Sequence, residues 1–291
     1  MGFLSNLING ISLGSIYAVI ALGYTMVYGI AKMLNFAHGD VIMVGAYVIF
    51  TTLAVTGNPV IAFIISILVC VVLGIVIEKL AYKPLRAASP LAVLITAIGV
   101  SNLLQGLAQL IFGTEPKSVI ILNKLGSLQI NEDLSINIST IVTLVLSALI
   151  MITLTVFIKK SKTGRAMIAV SEDKGAAQLM GINVNKIIMI TFAIGSSLAA
   201  FASLFYLIKV PVSPSFGALP GIKAFAAAVI GGIGSIPGAM LGGILLGLVE
   251  NICLSIDVIA PYTTAIEFGL LILILLVKPT GILGKKIREK V

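Results

Sequence analysis

The sequence predicts an all-α polytopic membrane protein with about 8–10 transmembrane passes, and three observations support this prediction. Of its 291 residues, 59% are hydrophobic, 10% are charged, and the mean hydropathy is +1.17, whereas a soluble domain has about 25% charged residues. Long runs without charge recur along the chain, and several approach the roughly 20 residues that cross a bilayer core. The basic residues cluster between these runs. Because an α-helix satisfies its own backbone hydrogen bonds, such runs predict helices in lipid.

In chain order, the candidate spans are residues 7–30, 41–53, 60–77, 91–112, 138–158, 187–208, 224–233, 239–256 and 265–277. Two of them, 41–53 and 224–233, are short for a full crossing at about 1.5 Å per residue. A polar stretch at 35–40 precedes the first, and a Gly-rich stretch at 231–238 follows the second. We therefore predict broken or short helices near 35–53 and 224–238, where protein or a water-filled cavity shields the backbone. In transporters, paired breaks point to the permeation path.

The basic residues predict the orientation of the chain. Of the 19 Lys and Arg residues, 14 lie in three groups near 79–86, 159–186 and 278–290. Since Lys and Arg favour the cytoplasmic side, these loops and the C-terminus are predicted to be cytoplasmic, and residues 113–137 external. The net charge of +8 is therefore explained by basic loops beside a lipid bilayer. We expect the bilayer as a partner and no nucleic acid. The side of the N-terminus is left open.

A polar segment at residues 162–183 separates two apolar spans. Ser171 is a suitable N-cap, Glu172 and Asp173 then suit the first helical turn, and Gly181 is a suitable stop. A short apolar face follows from Ala176, Ala177, Leu179 and Met180. Because a helix of about two turns is unstable alone in water, it needs a partner surface. That surface is either the protein's own loops or a cytoplasmic partner.

Two further sets of polar residues lie within or beside the spans. Asn102, Gln105 and Gln109 share one helix face, which turns away from lipid either for interhelical hydrogen bonds or as a wet lining. The one histidine lies in residues 35–40 (NFAHGD), where His38 and Asp40 either bond backbone freed by a helix break or lie near the translocation path.

Acidic residues within or near other spans are Glu250 and Glu267, and Lys223 borders a span. An intramembrane acid is a functional hypothesis, but pairing with Lys223 or neutralisation by burial is equally compatible. We assign no coupling-ion role to them.

The sequence lacks the common motifs of catalysis. It has no GxxxxGK[ST] loop, so it does not hydrolyse ATP in that way, and no GxSxG, HExxH or CxxC. No concentrated set of acid, base and nucleophile is visible. We predict no enzyme activity, catalytic residue, metal or cofactor.

Several blocks resemble LivH-type permeases, the membrane subunits of bacterial branched-chain amino acid ABC importers. They are residues 24–30 (YTMVYGI), 34–40 (LNFAHGD), 81–86 (AYKPLR), 94–99 (LITAIG), 163–166 (TGRA), 172–173 (ED), 179–183 (LMGIN), 223–239 and 278–284 (KPTGILG). The resemblance runs in order from about residue 9 to residue 284. One departure is a cytoplasmic loop richer in Lys and poorer in Ala and Arg than the family pattern.

The resemblance implies one transmembrane permease domain, 1–291, with a cytoplasmic ATPase-contacting loop at about 159–186. It implies transport of branched-chain or related amino acids, driven by ATP hydrolysed on separate subunits. The implied partners are a second homologous permease, two cytoplasmic ATP-binding subunits and an extracytoplasmic amino-acid-binding protein, in the bacterial inner membrane.

It also implies an ATPase-contacting set, which is Arg165, Ser171, Glu172, Asp173, Ala176, Ala177, Leu179, Met180 and Gly181. The polar helix break and the polar helix face provide the predicted translocation-path set, which is Asn35, His38, Asp40, Asn102, Gln105 and Gln109.

Two alternatives come from other classes of membrane protein. One is a secondary transporter driven by an ion gradient, with Glu250, Glu267, His38 or Asp40 as the coupling group. The other is a purely structural membrane subunit. Uptake by the purified chain alone would favour the first, and absence of water access to the Asn102, Gln105 and Gln109 face would favour the second.

Overall fold

A computed structural model describes residues 3–118, 126–131 and 134–284. These residues form eleven α-helices and one pair of β-strands. The helices are α1 Phe3–Ala31, α2 His38–Thr56, α3 Pro59–Ile77, α4 Pro90–Phe112, α5 Ile138–Lys160, α6 Lys162–Glu172, α7 Lys174–Leu179, α8 Val184–Leu207, α9 Ala218–Gly231, α10 Ile236–Leu254 and α11 Thr263–Val277. The strands are β1 Ser127–Asn131 and β2 Leu134–Asn137.

Among the described residues, eight helical segments are long and apolar enough to cross a membrane. The predicted all-α polytopic fold with 8–10 passes is therefore confirmed. α9 is shorter, at 14 residues, which agrees with the short helix predicted near 224–238. α3 continues past its α-helical part as a π turn, Glu78–Tyr82, and a 3-10 turn, Lys83–Leu85.

The prediction that the second span, 41–53, is short for a full crossing is wrong. α2 has 19 residues, about 28 Å of helix, because the polar residues before Val41 form its first turn. Asp40 lies in that turn, where an acidic side chain suits the helix dipole. The helix ends at Gly57, with φ of 64° and its N–H bonded to the Leu53 carbonyl. The predicted break lies at residues 32–37 instead, between α1 and α2.

The predicted external loop is not structureless. Within it, β1 and β2 pair antiparallel with an irregularity between Gln129 and Asn131. Lys117 and Val212 exchange two backbone hydrogen bonds, of 2.8 and 2.9 Å between N and O. Short strands of this kind satisfy backbone groups between helices.

The described chain divides into two compact units. The larger consists of Met26–Lys124 and Ile152–Ile222, and α2, α3 and α8 pack against one another at its centre. Close approach is possible because small polar residues line the contact. Ser66 Oγ donates to the Gly45 carbonyl at 3.0 Å, and Cys70 Sγ lies 3.6 Å from the Val41 carbonyl. The single domain predicted for 1–291 stays a prediction.

The smaller unit consists of Met1–Thr25, Leu125–Met151 and Lys223–Val291. In it α1 runs against α10, and a Cβ added at Gly247 would meet the backbone of Gly14. The Gly spacing of both helices therefore serves close packing. After α11, Ile282 and Leu283 donate backbone N–H groups to Ile230 and Gly231, each at 2.8 Å. The C-terminal ends of α9 and α11 thus lie at the same end of this unit.

Candidate functional site

The polar segment folds as two helices, α6 and α7, and the predicted N-cap at Ser171 is wrong. Ser171 lies inside α6, where its hydroxyl donates to the Ile168 carbonyl at 2.7 Å. α6 extends this far because Met167 and Val170 on its inner face are buried. Asp173 is the N-cap of α7, with an extended backbone and a carboxylate that accepts from Ala176 N–H at 2.9 Å. Local preference allowed either residue, because Ser and Asp are both good caps.

The end of α7 is as predicted. Gly181 has a φ of 80°, the left-handed conformation that glycine adopts at low cost. Its N–H bonds to the Gln178 carbonyl, and the Ile182 N–H reaches back to the Ala177 carbonyl, both at 3.0 Å. This pattern closes a helix by satisfying its last carbonyls, so α7 has defined ends on both sides.

The predicted apolar face of α7 is divided between two sides of the helix. Ala177 is 3% exposed and packs inward, whereas Leu179 is 91% exposed and Met180 is 82% exposed. Of the other residues in the predicted ATPase-contacting set, Ser171 is half-buried, and the exposed ones are Arg165, Glu172, Asp173, Ala176 and Gly181. Leu179 and Met180 are thus two adjacent large apolar side chains exposed on a polar segment.

The inner side of α7 contacts other parts of the larger unit. Lys174 Nζ donates to the carbonyl of Ala31, the last residue of α1, at 2.9 Å. Burial, and then the positive charges of Arg86 and Lys32, lowers the pKa of Lys174. Arg86 bonds Glu78 in the π turn and Asn185 in α8.

A cavity of about 500 Å³ lies on this side of α7. It is lined by Arg86, Lys174, Gln178, Gly181, Ile182, Asn183, Val184, Asn185 and Ile188. The cavity is open to the outside, so this side of α7 is only partly covered by its neighbours.

The break between α1 and α2 is held by Tyr82. Its hydroxyl donates to Asn35 Oδ1 at 2.9 Å and lies 3.4 Å from the Leu34 carbonyl. The Tyr82 ring lies against Phe192 of α8, with 5.2 Å between ring centroids. Asn35 is therefore buried and hydrogen-bonded at the break, as expected for irregular backbone inside a helix bundle.

The start of α2 lies near the middle of the long helical segment 59–85, because the Val41 carbonyl meets Cys70. The irregular segment that precedes α9 also lies close to the start of α2. A Cβ added at Gly217, just before α9, would meet the carbonyl of Gly39. The predicted second break, at 231–238, is not the segment found here; it lies in the smaller unit, where a Cβ added at Gly232 would meet Gly284.

Asp40 and Gln105 come together beside this break. Gln105 Nε2 donates to Asp40 Oδ1 at 2.8 Å and lies 3.2 Å from Ser101 Oγ. Asp40 is 2% exposed. This Asp40–Gln105 pair joins α2 to α4 and places a carboxylate and an amide where an apolar helix contact would otherwise lie.

The remaining residues of the predicted translocation path are spread around this pair. His38 is buried in the first turn of α2. Asn102 and Gln109 are exposed on α4, so they do not join Asp40 within this chain. Sequence reasoning missed Tyr82 and the carbonyl that Lys174 binds, because neither contact follows a local pattern.

In the smaller unit, Lys223 lies between two acidic side chains. Lys223 Nζ is 2.7 Å from Glu250 Oε1 and 3.1 Å from Glu267 Oε2, and all three residues are buried. Of the readings left open for the intramembrane acids, pairing is the arrangement observed. A buried charge is tolerated in this way when it is paired.

The eight membrane-length helical segments among the described residues, with irregular segments between them, define a multi-pass membrane protein. A sequence profile described as "Branched-chain amino acid transport system / permease component" matches residues 6–275. The chain belongs to this family. The predicted class, a transport permease rather than an enzyme, is confirmed by that membership.

The curated relatives agree over nearly the full length. The chain is 46% identical to a "High-affinity branched-chain amino acid transport system permease protein BraD" of Pseudomonas aeruginosa, covering 99% of this chain and 98% of the relative. It is 43% identical to the corresponding permease protein LivH of Escherichia coli, with the same coverage. A probable LivH of Methanocaldococcus jannaschii is 30% identical over 93% of this chain and 89% of the relative.

Proposed function

We propose that this chain is the permease subunit of an ATP-binding cassette importer that moves branched-chain amino acids into the cell. The observation that carries the proposal is the exposed Leu179–Met180 end of α7, on a chain that belongs to a transport permease family. The ATP is hydrolysed on separate subunits, since this sequence has no phosphate-binding loop. The names of the relatives support branched-chain amino acids as substrate.

The partners follow from the same reasoning. Two cytoplasmic ATP-binding subunits power the pair of permeases, and the predicted set around α7 is this chain's contact with them. A second, homologous permease completes the membrane pair, and an extracytoplasmic amino-acid-binding protein delivers the substrate. The exposed apolar surface of α4, including Leu103, Leu110 and Ile111, is compatible with lipid or with the second permease.

The orientation is proposed from charge and from the Lys174 contact. The ATPase-contacting loop and the basic C-terminus lie on the cytoplasmic side of a bacterial inner membrane. Because Lys174 binds the last carbonyl of α1, that end of α1 lies on the cytoplasmic side. α1 has 29 residues, about 43 Å of helix, so its N-terminal end lies on the external side.

The translocation path passes the break at the start of α2. Asn35, His38, Asp40 and Gln105 lie along this part of the chain, and Asn102 and Gln109 complete the path on α4. Asp40 is the residue suited to the substrate ammonium group, because an ionised acceptor forms hydrogen bonds about twice as strong as a neutral one. The buried Asp40–Gln105 pair supports this choice.

The experiment is ATP-driven uptake of labelled leucine by the complete complex in proteoliposomes. Asp40→Asn keeps an oxygen that accepts from Gln105 and removes the charge, so we expect assembly with about tenfold slower uptake, or about 1.4 kcal/mol. Asp257→Asn, at an exposed residue between α10 and α11, is the matched control. Uptake by Asp40→Asn equal to that of the control would contradict the role of Asp40.

A further inference from the structure

The inner side of α7 carries one contact that joins it to the helix break. Lys174 is the first residue of α7, fixed there by the Asp173 cap. Its ammonium group donates to the Ala31 carbonyl at 2.9 Å. The two residues are 143 positions apart in sequence, so this contact bridges parts of the fold that no short chain segment connects.

The accepting carbonyl lies at the boundary between helix and break. α1 ends at Ala31, and the Lys32 N–H still bonds back to the Tyr28 carbonyl at 2.9 Å. Lys32 has a φ of 59°, an uncommon conformation for a residue other than glycine. The chain therefore changes direction at the residue after the one that Lys174 holds.

The chemistry favours a firm contact. A lysine ammonium group suits a helix C-terminus, where carbonyls are unpaired and the helix dipole is negative. The nearby charges of Arg86 and Lys32 are of the same sign as Lys174, so the interaction that favours this placement is the one with the carbonyl. Hydrogen bonds with a charged donor are also the stronger ones.

From Ala31 the break leads directly to the polar site. Residues 32–37 connect it to α2, with Tyr82 bonded to Asn35 in between. Asp40 follows in the first turn of α2 and accepts from Gln105. These contacts are consecutive along ten residues of chain, so bonded groups connect the Ala31 carbonyl to the Asp40–Gln105 pair.

We propose that Lys174 is a positioning residue that transmits the displacement of α7 to the α1–α2 break, and so to the Asp40–Gln105 pair, by holding the Ala31 carbonyl. This inference rests on the proposed function, because the displacement comes from ATPase subunits bound at Leu179 and Met180. The open cavity of about 500 Å³ borders Lys174 and Gln178 on this side of α7. The two ends of the transmission are thus an exposed docking surface and a buried polar site.

The first test separates ATP hydrolysis from transport in the complete complex. In Lys174→Met the side chain keeps its length but loses the donor. We expect the ATPases to bind, hydrolysis to stay within about twofold, and leucine taken up per ATP to fall about tenfold, which is about 1.4 kcal/mol of lost coupling. Lys79→Met, at an exposed lysine of the π turn outside the polar segment, is the control. An unchanged uptake per ATP in Lys174→Met would overturn the proposal.

Chemical modification of a cysteine at position 174 distinguishes the effect of the ammonium group from the effect of side-chain size. In Lys174→Cys, alkylation with 2-bromoethylamine rebuilds an ammonium group at the length of lysine, whereas methylthiolation adds a neutral group. We expect the first treatment to restore uptake per ATP and the second to leave it low. The natural chain with the same reagents is the control, because Cys70 and Cys253 are buried. Equal restoration by both reagents would contradict the role of the ammonium group.

A distance measurement keeps the proposal testable if substitution of Lys174 prevents assembly. Spin labels at Gln178 and Lys32, both exposed, report on the two sides of the contact. Labels at Gln178 and Val55, at the far end of α2, give the reference distance. We expect the first distance to stay constant between nucleotide-free and ATP-trapped complexes while the reference changes. A change in the first distance, or none in either, would overturn the proposal.

If the proposed function is wrong, the transport result differs from the one expected when only the Lys174 proposal is wrong. In that case the complex with the natural chain would show no ATP-driven uptake at all. Failure of the Lys174 proposal alone leaves the natural complex active and Lys174→Met equally well coupled.

Discussion

Replacing the exposed apolar end of α7 by charge is expected to abolish ATPase docking without harming the fold. The variant is Leu179→Asp combined with Met180→Asp. The two side chains are 91% and 82% exposed, so they contribute little to packing within the chain. Surface substitutions of this kind usually change stability by less than about 0.5 kcal/mol. The variant is therefore expected to reach the membrane and to unfold at the temperature of the natural chain.

The magnitude follows from the area that docking would cover. Full burial of a Leu or Met side chain contributes about 1.5–3 kcal/mol, so the two together contribute about 3–6 kcal/mol to a docked complex. Removing that contribution weakens binding about 10²- to 10⁴-fold. Aspartates buried in the same contact would weaken it further, since an unpaired buried charge is costly.

The assay is titration of the ATP-binding subunit onto the chain and its partner permease held in lipid nanodiscs. The control is Val258→Asp, which places the same charge at an apolar residue that is 81% exposed between α10 and α11. We expect binding to the control to match that of the natural chain. Affinity of the double variant within about threefold of the control, or about 0.7 kcal/mol, would refute docking through this end of α7.

Two further substitutions test the packing on which the site depends. Lys223→Met leaves the two carboxylates that it binds without a cation, so we expect about 3–5 kcal/mol of destabilisation, seen as a lower melting temperature in detergent. Adding Glu267→Gln should recover part of the loss, and an unchanged melting temperature in Lys223→Met would contradict the paired arrangement. Gly217→Val would place a side chain against the Gly39 carbonyl, so we expect low yield and little uptake. Gly269→Ala, where a Cβ meets nothing within 4 Å, is the control, and normal uptake by Gly217→Val would contradict the close contact of Gly217 with the first turn of α2.

Hydropathy predicted most of the helices, because membrane spans are set by long uncharged runs that sequence displays directly. It misplaced the start of α2, since His38 and Asp40 are polar and look like loop residues. Both belong to the first helical turn, where Asp40 gains from the helix dipole and from Gln105. Hydropathy averaged over a window does not include the stabilisation that these contacts provide.

The short helix of the polar segment at 162–183 was predicted in position but not in detail. Two good caps, Ser171 and Asp173, lie two residues apart, and burial of Met167 and Val170 decided between them. Burial depends on tertiary packing, which local preference does not contain. The stop at Gly181 was predictable because only the local backbone conformation matters there.

Contacts between distant parts of the chain had no signal in the sequence. The Lys174 bond to Ala31 uses a backbone carbonyl, which any residue provides. The approach of Gly217 to Gly39 likewise depends on where two irregular segments meet. The Asp40–Gln105 pair was partly foreseen, since amides on a helix in lipid must turn toward a polar partner.

The requirement for separate ATPases is tested most directly by comparing leucine accumulation in two kinds of proteoliposome. One contains the purified chain alone under proton and sodium gradients, and the other contains the complete complex supplied with ATP. We predict no accumulation by the chain alone, and accumulation by the complex that stops when ATP is withheld. Accumulation against a gradient by the isolated chain would contradict the account.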